Sequence, residues 1–182
     1  MITIISGTNR TGSVTYQMAL LYQRKLKERG IHASILDLKE LPHDFTFSAL
    51  YENTGKNEGF NRLISPLKDS TKLIVITPEY NGSFPGVIKT FLDGLEFPNG
   101  VKDKMVALVG LSSGSQGAVL ATSHLADIFG YLGATVLPLR VRMPFITKHF
   151  KGGEIINDNE YAKYNDLIDL QIEKIILYPT IF

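Results

Sequence analysis

Residues 72–93 read KLIVITPEYNGSFPGVIKTFLD. The opening KLIVIT is short, apolar and β-branched, which marks a strand buried on both faces rather than one with a wet side. Pro78 and Pro85 then fix φ at two points, while Gly82 and Gly86 permit positive φ or close backbone approach. From residue 87 to residue 95, apolar side chains return at helical spacing. A buried strand that runs through a rigid, open loop into a helix is the building unit of an α/β domain with a parallel sheet. Such sheets bind ligands at the carboxyl ends of their strands.

The same order recurs outward from this unit. ITIIS at residues 2–6 is a β-branched run, GTNRTGS at 7–13 supplies turn residues, and residues 14–29 carry Val14, Met18, Leu21, Tyr22 and Leu26 at helical spacing. Gly30 stands where a helix ends with a left-handed residue. A second strand is expected at residues 31–38. Residues 43–60 have no clean period; Phe60, Leu63, Ile64 and Leu67 then predict a helix that Pro66 should kink. MVALVGL at 105–111 is a fourth apolar run, residues 117–132 carry a helical pattern, and ATVLPLRV at 134–141 is the expected fifth strand. Asp158 is placed to cap a last helix with Tyr161, Tyr164, Ile168, Ile172 and Ile175 on one face.

The chain has 182 residues, enough for one domain with a sizeable core, and residues 1–182 are read as a single domain. Lys plus Arg is 19 against Asp plus Glu 18, so no basic field exists to hold nucleic acid or an anionic membrane, and a small-molecule partner is favoured. With no cysteine, disulfides, thiolate metal sites and a cysteine nucleophile are excluded. Any redox chemistry then needs a borrowed group. His32, His43, His124 and His149 lack metal-like spacing, so no metal is expected. MITIISG has neither a basic n-region nor an apolar stretch of signal-peptide length, and a cytoplasmic protein is expected.

Three strand-end loops carry the chemistry. The first offers Ser6, Thr8, Asn9, Thr11, Ser13 and Thr15, the Arg10 cation and the free amides of a helix start, which together could cradle a terminal monophosphate. It could equally be an ordinary polar turn with an N-cap at Ser13 or Thr11. It is neither a Walker loop nor a dinucleotide Gly-x-Gly-x-x-Gly. In the second, Glu79, Tyr80, Asn81 and Ser83 match the polar edge of a planar heterocycle, against the plainer readings of a packing tyrosine and a solvated glutamate. The third, SSGSQG at 112–117, leaves room for a ligand face or is simply a tight turn.

Gly7-Thr8-x-Arg10-x-x-Ser13, PEYNGSFPGVIKTFLD and SSGSQG together resemble the NADPH-dependent FMN reductase family, which includes quinone, chromate and azo-dye reductases, over residues 1–139. The resemblance implies a flavodoxin-like three-layer sandwich with a five-stranded parallel sheet in the order 2-1-3-4-5. It places Thr8, Arg10, Ser13, Val14 and Thr15 at the FMN phosphate. Pro78, Glu79, Tyr80, Asn81, Gly82 and Ser83 fall on the flavin-ring loop, and Ser112, Ser113 and Gly114 on a third flavin loop. Thr8 replaces the usual serine and Thr15 the usual asparagine; both keep a polar oxygen.

The implied activity is transfer of a hydride from NADPH or NADH, by way of bound FMN, to a small-molecule acceptor such as a quinone, azo compound, free flavin or metal oxyanion. No catalytic side chain is implied, because the flavin carries the redox chemistry. The alternatives are a flavodoxin-type electron carrier, which the near-neutral charge disfavours, and a non-enzymatic flavin-binding module. A homodimer, possibly a dimer of dimers, is also implied, with Phe91, Leu92, Leu95 and Phe97 as candidates for its surface or for the core. Segments 43–60 and 143–157 fall outside the family pattern. In the latter, His149 is read as an acceptor contact or a surface histidine, and Lys148, His149 and Lys151 as an NADPH-phosphate attractor or a solvated charge run.

Overall fold

The run ITIIS is buried throughout as β1 (Ile2–Ser6). In the computed structural model, which describes residues 1–97, 100–156 and 160–179, it is followed by α1 (Val14–Glu28), β2 (Ala33–Asp37), a short α2 (Phe45–Ser48), α3 (Glu58–Lys68), β3 (Lys72–Pro78), α4 (Gly86–Asp93), β4 (Met105–Leu111) and α5 (Val119–Tyr131). Beyond these lie β5 (Thr135–Val136), β6 (Val141–Met143), a one-turn α6 (Ile146–His149), β7 (Phe150–Lys151), β8 (Glu154–Ile155) and α7 (Lys163–Leu177). The main sheet runs β2-β1-β3-β4-β5, with β6 also on β4 and every pairing parallel. This is the flavodoxin-like strand order.

Alternation within the buried strands produces the three layers. Ile4, Ile74, Ile76, Ala107 and Val109 face one core with Met18, Tyr22 and Leu26 of α1 and Ile168 and Ile172 of α7. Their neighbours Ile5, Leu73, Val75, Val106 and Leu108 face the other, with Phe60 of α3, Ile88 and Phe91 of α4, and Leu125 and Phe129 of α5. Each face is covered by helices, which is why these strands carry no polar alternation.

Several expectations are corrected. α3 runs on through Pro66, and the Arg62 carbonyl that the missing N–H would have served accepts from Ser65 Oγ at 2.9 Å. Residues 134–141 are not one strand. Leu137 N–H still reaches the Val106 carbonyl at 2.8 Å, but Pro138 has no N–H to continue the ladder, and pairing resumes only at Val109 with Val141. Gln171 of α7 fills this gap: its Nε2 donates to the Leu108 and Leu139 carbonyls at 3.0 and 2.9 Å, and its Oε1 accepts from Tyr22 OH at 2.9 Å. Burial first, and the Asp169 carboxylate second, hold the Tyr22 phenol well above its ordinary pKa.

The last helix begins at Lys163 after Ala162, with no side-chain cap, so the buried Tyr161 precedes it; Asp158 lies outside the described residues. Phe91, Leu92 and Leu95 are buried in the fold and are not available to a dimer surface, whereas Phe97 is 71% exposed. No helix among the described residues is long and apolar enough to cross a membrane.

Candidate flavin site

β1, β3 and β4 are neighbours that point the same way, so the loops after them converge at one edge of the sheet. Gly7 leaves β1 with its N–H on the Ile76 carbonyl at 2.8 Å, and a Cβ there would sit 2.6 Å from that oxygen and 2.7 Å from Ile88 Cδ1. Only glycine lets the first loop run so close to β3. Thr8 is buried, and its Oγ1 accepts from Arg10 N–H at 3.3 Å. Gly12 turns the chain at φ 65° with nothing within 4 Å of a would-be Cβ. Ser13 caps α1, its Oγ accepting from Tyr16 N–H at 3.1 Å. The capping reading of Ser13 is therefore correct, and it leaves the hydroxyl proton and the first amides of α1, those of Val14 and Thr15, without intrahelical partners. Asn9, Arg10 and Thr11 are exposed; Thr15 is buried.

After β3 the chain makes a tight reversal. Tyr80 N–H donates to the Ser83 carbonyl at 2.8 Å and Ser83 N–H to the Tyr80 carbonyl at 3.0 Å, with Asn81 at φ 52° and Gly82 at φ 73°. Two left-handed central residues with the sequence Asn-Gly are the signature of a type I′ turn. Asn tolerates that region and Gly enters it without strain, so the turn stands up from the strand end as a rigid tip.

Side chains tie this tip to its surroundings. The Tyr80 and Thr8 hydroxyls share a hydrogen bond of 3.1 Å, joining the first loop to the second. Glu79 Oε2 accepts from Ala118 N–H at 3.2 Å, where Gly117 and Ala118 enter α5 at φ 59° and 60°. One oxygen of the half-buried Glu79 thus holds the second loop on the third. Ser83 Oγ lies 2.9 Å from His124 Nδ1 on α5. Pro78 closes β3 opposite Leu111 of β4.

The third loop is held from its far side. Ser112 N–H donates to the Met143 carbonyl, Phe145 N–H to that of Gly114 and Ile146 N–H to that of Ser112, each within 3.0 Å. Ser112 Oγ accepts from Gly114 N–H at 3.1 Å, and Ser113 and Gly114 are exposed. The segment after β6 is therefore the wall behind this loop. Within it, Phe145 takes a left-handed φ of 48° with Lys148 Nζ 5.2 Å from its ring centre. His149 is not a surface histidine, since it is half-buried and stacks on Tyr161 with ring planes 8° apart.

All the residues singled out from the three loops therefore lie along one rim. Two sizeable hollows lie elsewhere, about 600 Å³ at the amino end of β2 beside Arg24 and His32 and about 630 Å³ beside Leu139 and Leu177. Strand-end convergence and cross-loop bonds locate the site better than hollow size does, because a planar ligand lying along a rim needs no closed cavity. His124 is not legible from the sequence as part of this site, and segment 143–157, which the resemblance puts only on the acceptor side, backs the third loop through residues 143–146. A histidine carries no motif at its spacing, and the wall acts through backbone groups that leave no residue signature. No cluster able to hold a metal ion occurs among the described residues.

Comparison with known proteins follows the same outline. The profile of the NADPH-dependent FMN reductase family matches residues 1–147. An FMN-dependent NADPH-azoreductase of Staphylococcus aureus is 30% identical over 165 residues, 87% of this chain and 85% of its own length. A 2-hydroxy-1,4-benzoquinone reductase of a Burkholderia species is 38% identical over 74 residues, 39% of this chain and 40% of that protein. Among solved structures, FerB, a flavoenzyme NAD(P)H:(acceptor) oxidoreductase from Paracoccus denitrificans, superposes with a TM-score of 0.74 at 25% identity, covering 96% of this chain and 97% of its own. With the profile spanning the three loops and a relative matched along most of both lengths, the chain belongs to the NADPH-dependent FMN reductase family.

Proposed function

We propose that this chain is a single-domain, FMN-dependent oxidoreductase that takes electrons from NADPH or NADH and delivers them to a small-molecule acceptor of the quinone or azo class. The observation that carries the proposal is the tied rim, in which Thr8–Tyr80, Glu79–Ala118 and Ser83–His124 join three strand-end loops. The acceptor classes are those for which the azoreductase and quinone reductase relatives are named.

The residues present fit FMN. At the phosphate end, the Val14 and Thr15 amides, the Arg10 guanidinium and the hydroxyls of Thr8, Ser13 and Thr15 form a donor set suited to a dianion at a helix N-terminus. The open space around Gly12 admits it. Along the ring, the tip offers the Asn81 and Gly82 N–H groups, since those of Glu79, Tyr80 and Ser83 serve the Leu111, Ser83 and Tyr80 carbonyls and Pro78 has none, and Ser112, Ser113 and Gly114 offer small residues that leave the opposite edge clear. When bound, FMN supplies the hydride and electron chemistry, so the chain needs no acid–base pair of its own. The work of the protein is to orient, to stabilise charge at the ring edge through fixed N–H groups, and to control approach.

The deciding experiment is the visible spectrum of the purified protein under anaerobic conditions, before and after NADPH or NADH, followed by turnover with a quinone and an azo dye. Flavin absorbance that bleaches and recovers with acceptor is the expected result. Bound flavin that neither nucleotide reduces would turn the reading to an electron carrier or a binding module; no flavin uptake would reject it. A cytoplasmic homodimer, possibly paired again, belongs to the same proposal, and its contact face would draw on the exposed Phe97, Leu120 and Tyr131. Light scattering that gives a monomer mass rejects the dimer.

A further inference from the structure

His124 stands on the outer surface of α5, outside all three loops, and its Nδ1 lies 2.9 Å from Ser83 Oγ. An exposed histidine in the middle of a helix contributes less to that helix than alanine, lysine or glutamate would, so its place there is not explained by α5 itself. Its ring reaches instead to the last residue of the type I′ tip. That tip has two backbone bonds of its own and a left-handed, non-glycine residue at its exposed Asn81. It is pinned at one end by Tyr80 on Thr8 and at the other by Ser83 on His124.

We propose that His124 is a positioning residue for the flavin site: by bonding Ser83 Oγ it fixes the direction of the Ser83 hydroxyl and holds the 80–83 tip against the ring position. This rests on the FMN reading above. A serine hydroxyl has one proton and rotates to suit its surroundings. With bare Nδ1 as its partner, Ser83 donates to His124 and turns its lone pairs outward; with Nδ1–H as its partner, it accepts and keeps its proton for the ligand. In either tautomer the rotation is stopped before a ligand arrives, so the ordering entropy is not charged to binding.

A double-mutant cycle on the full chain tests this. Flavin-free wild type, His124→Ala, Ser83→Ala and the double variant are titrated with FMN by fluorescence quenching, and the melting temperature of each flavin-free protein is recorded. One lost hydrogen bond of ordinary strength predicts FMN binding weakened about fivefold in His124→Ala. Ser83→Ala, which removes the hydroxyl itself, should weaken binding at least as much, and the double variant should be no weaker than Ser83→Ala alone. His124→Asn, whose amide oxygen stands as many bonds from Cα as Nδ1 does, should restore binding to within about twofold. Melting temperatures should agree within about 2 °C, because the pair is at the surface. Equal FMN affinity in wild type and His124→Ala, or single-variant losses that simply add, would overturn the inference alone. A wild-type protein that takes up no FMN would overturn the flavin reading and this inference with it.

Discussion

Replacing Gln171 by leucine should unfold this protein far more readily than a conservative change of size suggests. Gln171 has no exposed surface and serves three otherwise unserved groups: the Tyr22 hydroxyl and the Leu108 and Leu139 carbonyls. The carbonyls fall where Pro138 interrupts pairing at the edge of β4, so no strand can take them over. Each orphaned buried group costs about 1–3 kcal/mol, while leucine returns about 1–2 kcal/mol of burial. The net loss is about 1–8 kcal/mol on these figures, with a midpoint of about 4–5, large against a typical total of about 5–15 kcal/mol. Urea denaturation followed by circular dichroism measures it. Tyr22→Phe on the leucine background is the sharper test. That change removes the orphaned phenol, so the double variant should be at least as stable as Gln171→Leu alone, and the two single losses should not add. A Gln171→Leu protein within about 1 kcal/mol of wild type, or additive losses, would refute the claim that one amide closes the gap in the sheet.

Gly7→Ala should lose about 1–3 kcal/mol, since the new Cβ meets backbone at the Ile76 carbonyl, which cannot move without disturbing β3. Gly12→Ala, in open space at φ 65°, should lose only the left-handed strain of about 1–2 kcal/mol; equal losses measured by denaturation would contradict the placement of Gly7. Arg10→Ala should weaken FMN binding about tenfold and leave riboflavin, which lacks the phosphate, unchanged; titration with both ligands separates a phosphate contact from a general loss. Asp37 has its carboxyl raised above the ordinary value chiefly by burial. The Ser6 hydroxyl and the Lys39 amide pull the other way, but Ser6 Oγ makes no hydrogen bond of ordinary geometry and the Lys39 amide is 3.4 Å away. A raised folded-state pKa means that the ionised form weakens the fold, an effect complete above that pKa and absent below the unfolded value. Asp37→Asn should therefore be the more stable protein at neutral pH, with its advantage fading as pH falls to the unfolded carboxyl range; a constant advantage would refute the assignment.

The layered core was legible because its signal is local and redundant. ITIIS, KLIVIT and MVALVGL have no polar alternation, and only a sheet covered on both faces accommodates such runs as strands. The misreadings all concern groups whose partner is remote or of an unexpected kind. Pro66 reads as a kink, and only the fold shows Ser65 taking the Arg62 carbonyl that it leaves unserved. ATVLPLRV reads as one strand until Pro138 is set against β4, and its repair comes from Gln171, which no pattern near residue 138 could announce. The hairpin of β7 and β8 also meets α1 through the exposed ion pair of Glu154 with Arg24, again a contact with no local trace.

For the site, residue chemistry was legible and residue allegiance was not. Glu79 illustrates the difference. From sequence it is either a polar edge for a heterocycle or a wet charge, because a carboxylate on a loop tip has no stated partner. In the fold its oxygen lies on the Ala118 N–H, at the start of a helix that two left-handed residues have turned toward it. A negative group is favoured there by the unpaired amides of the helix end. The same bond fixes the distance between the second and third loops. If those loops hold a flavin, Glu79 acts on it mainly through where it puts Tyr80 and Ser83, so Glu79→Gln, which keeps an acceptor oxygen, should retain most FMN affinity while Glu79→Ala should lose it. Equal losses in the two variants, both of which delete the negative charge, would mean that the carboxylate charge itself meets the ligand.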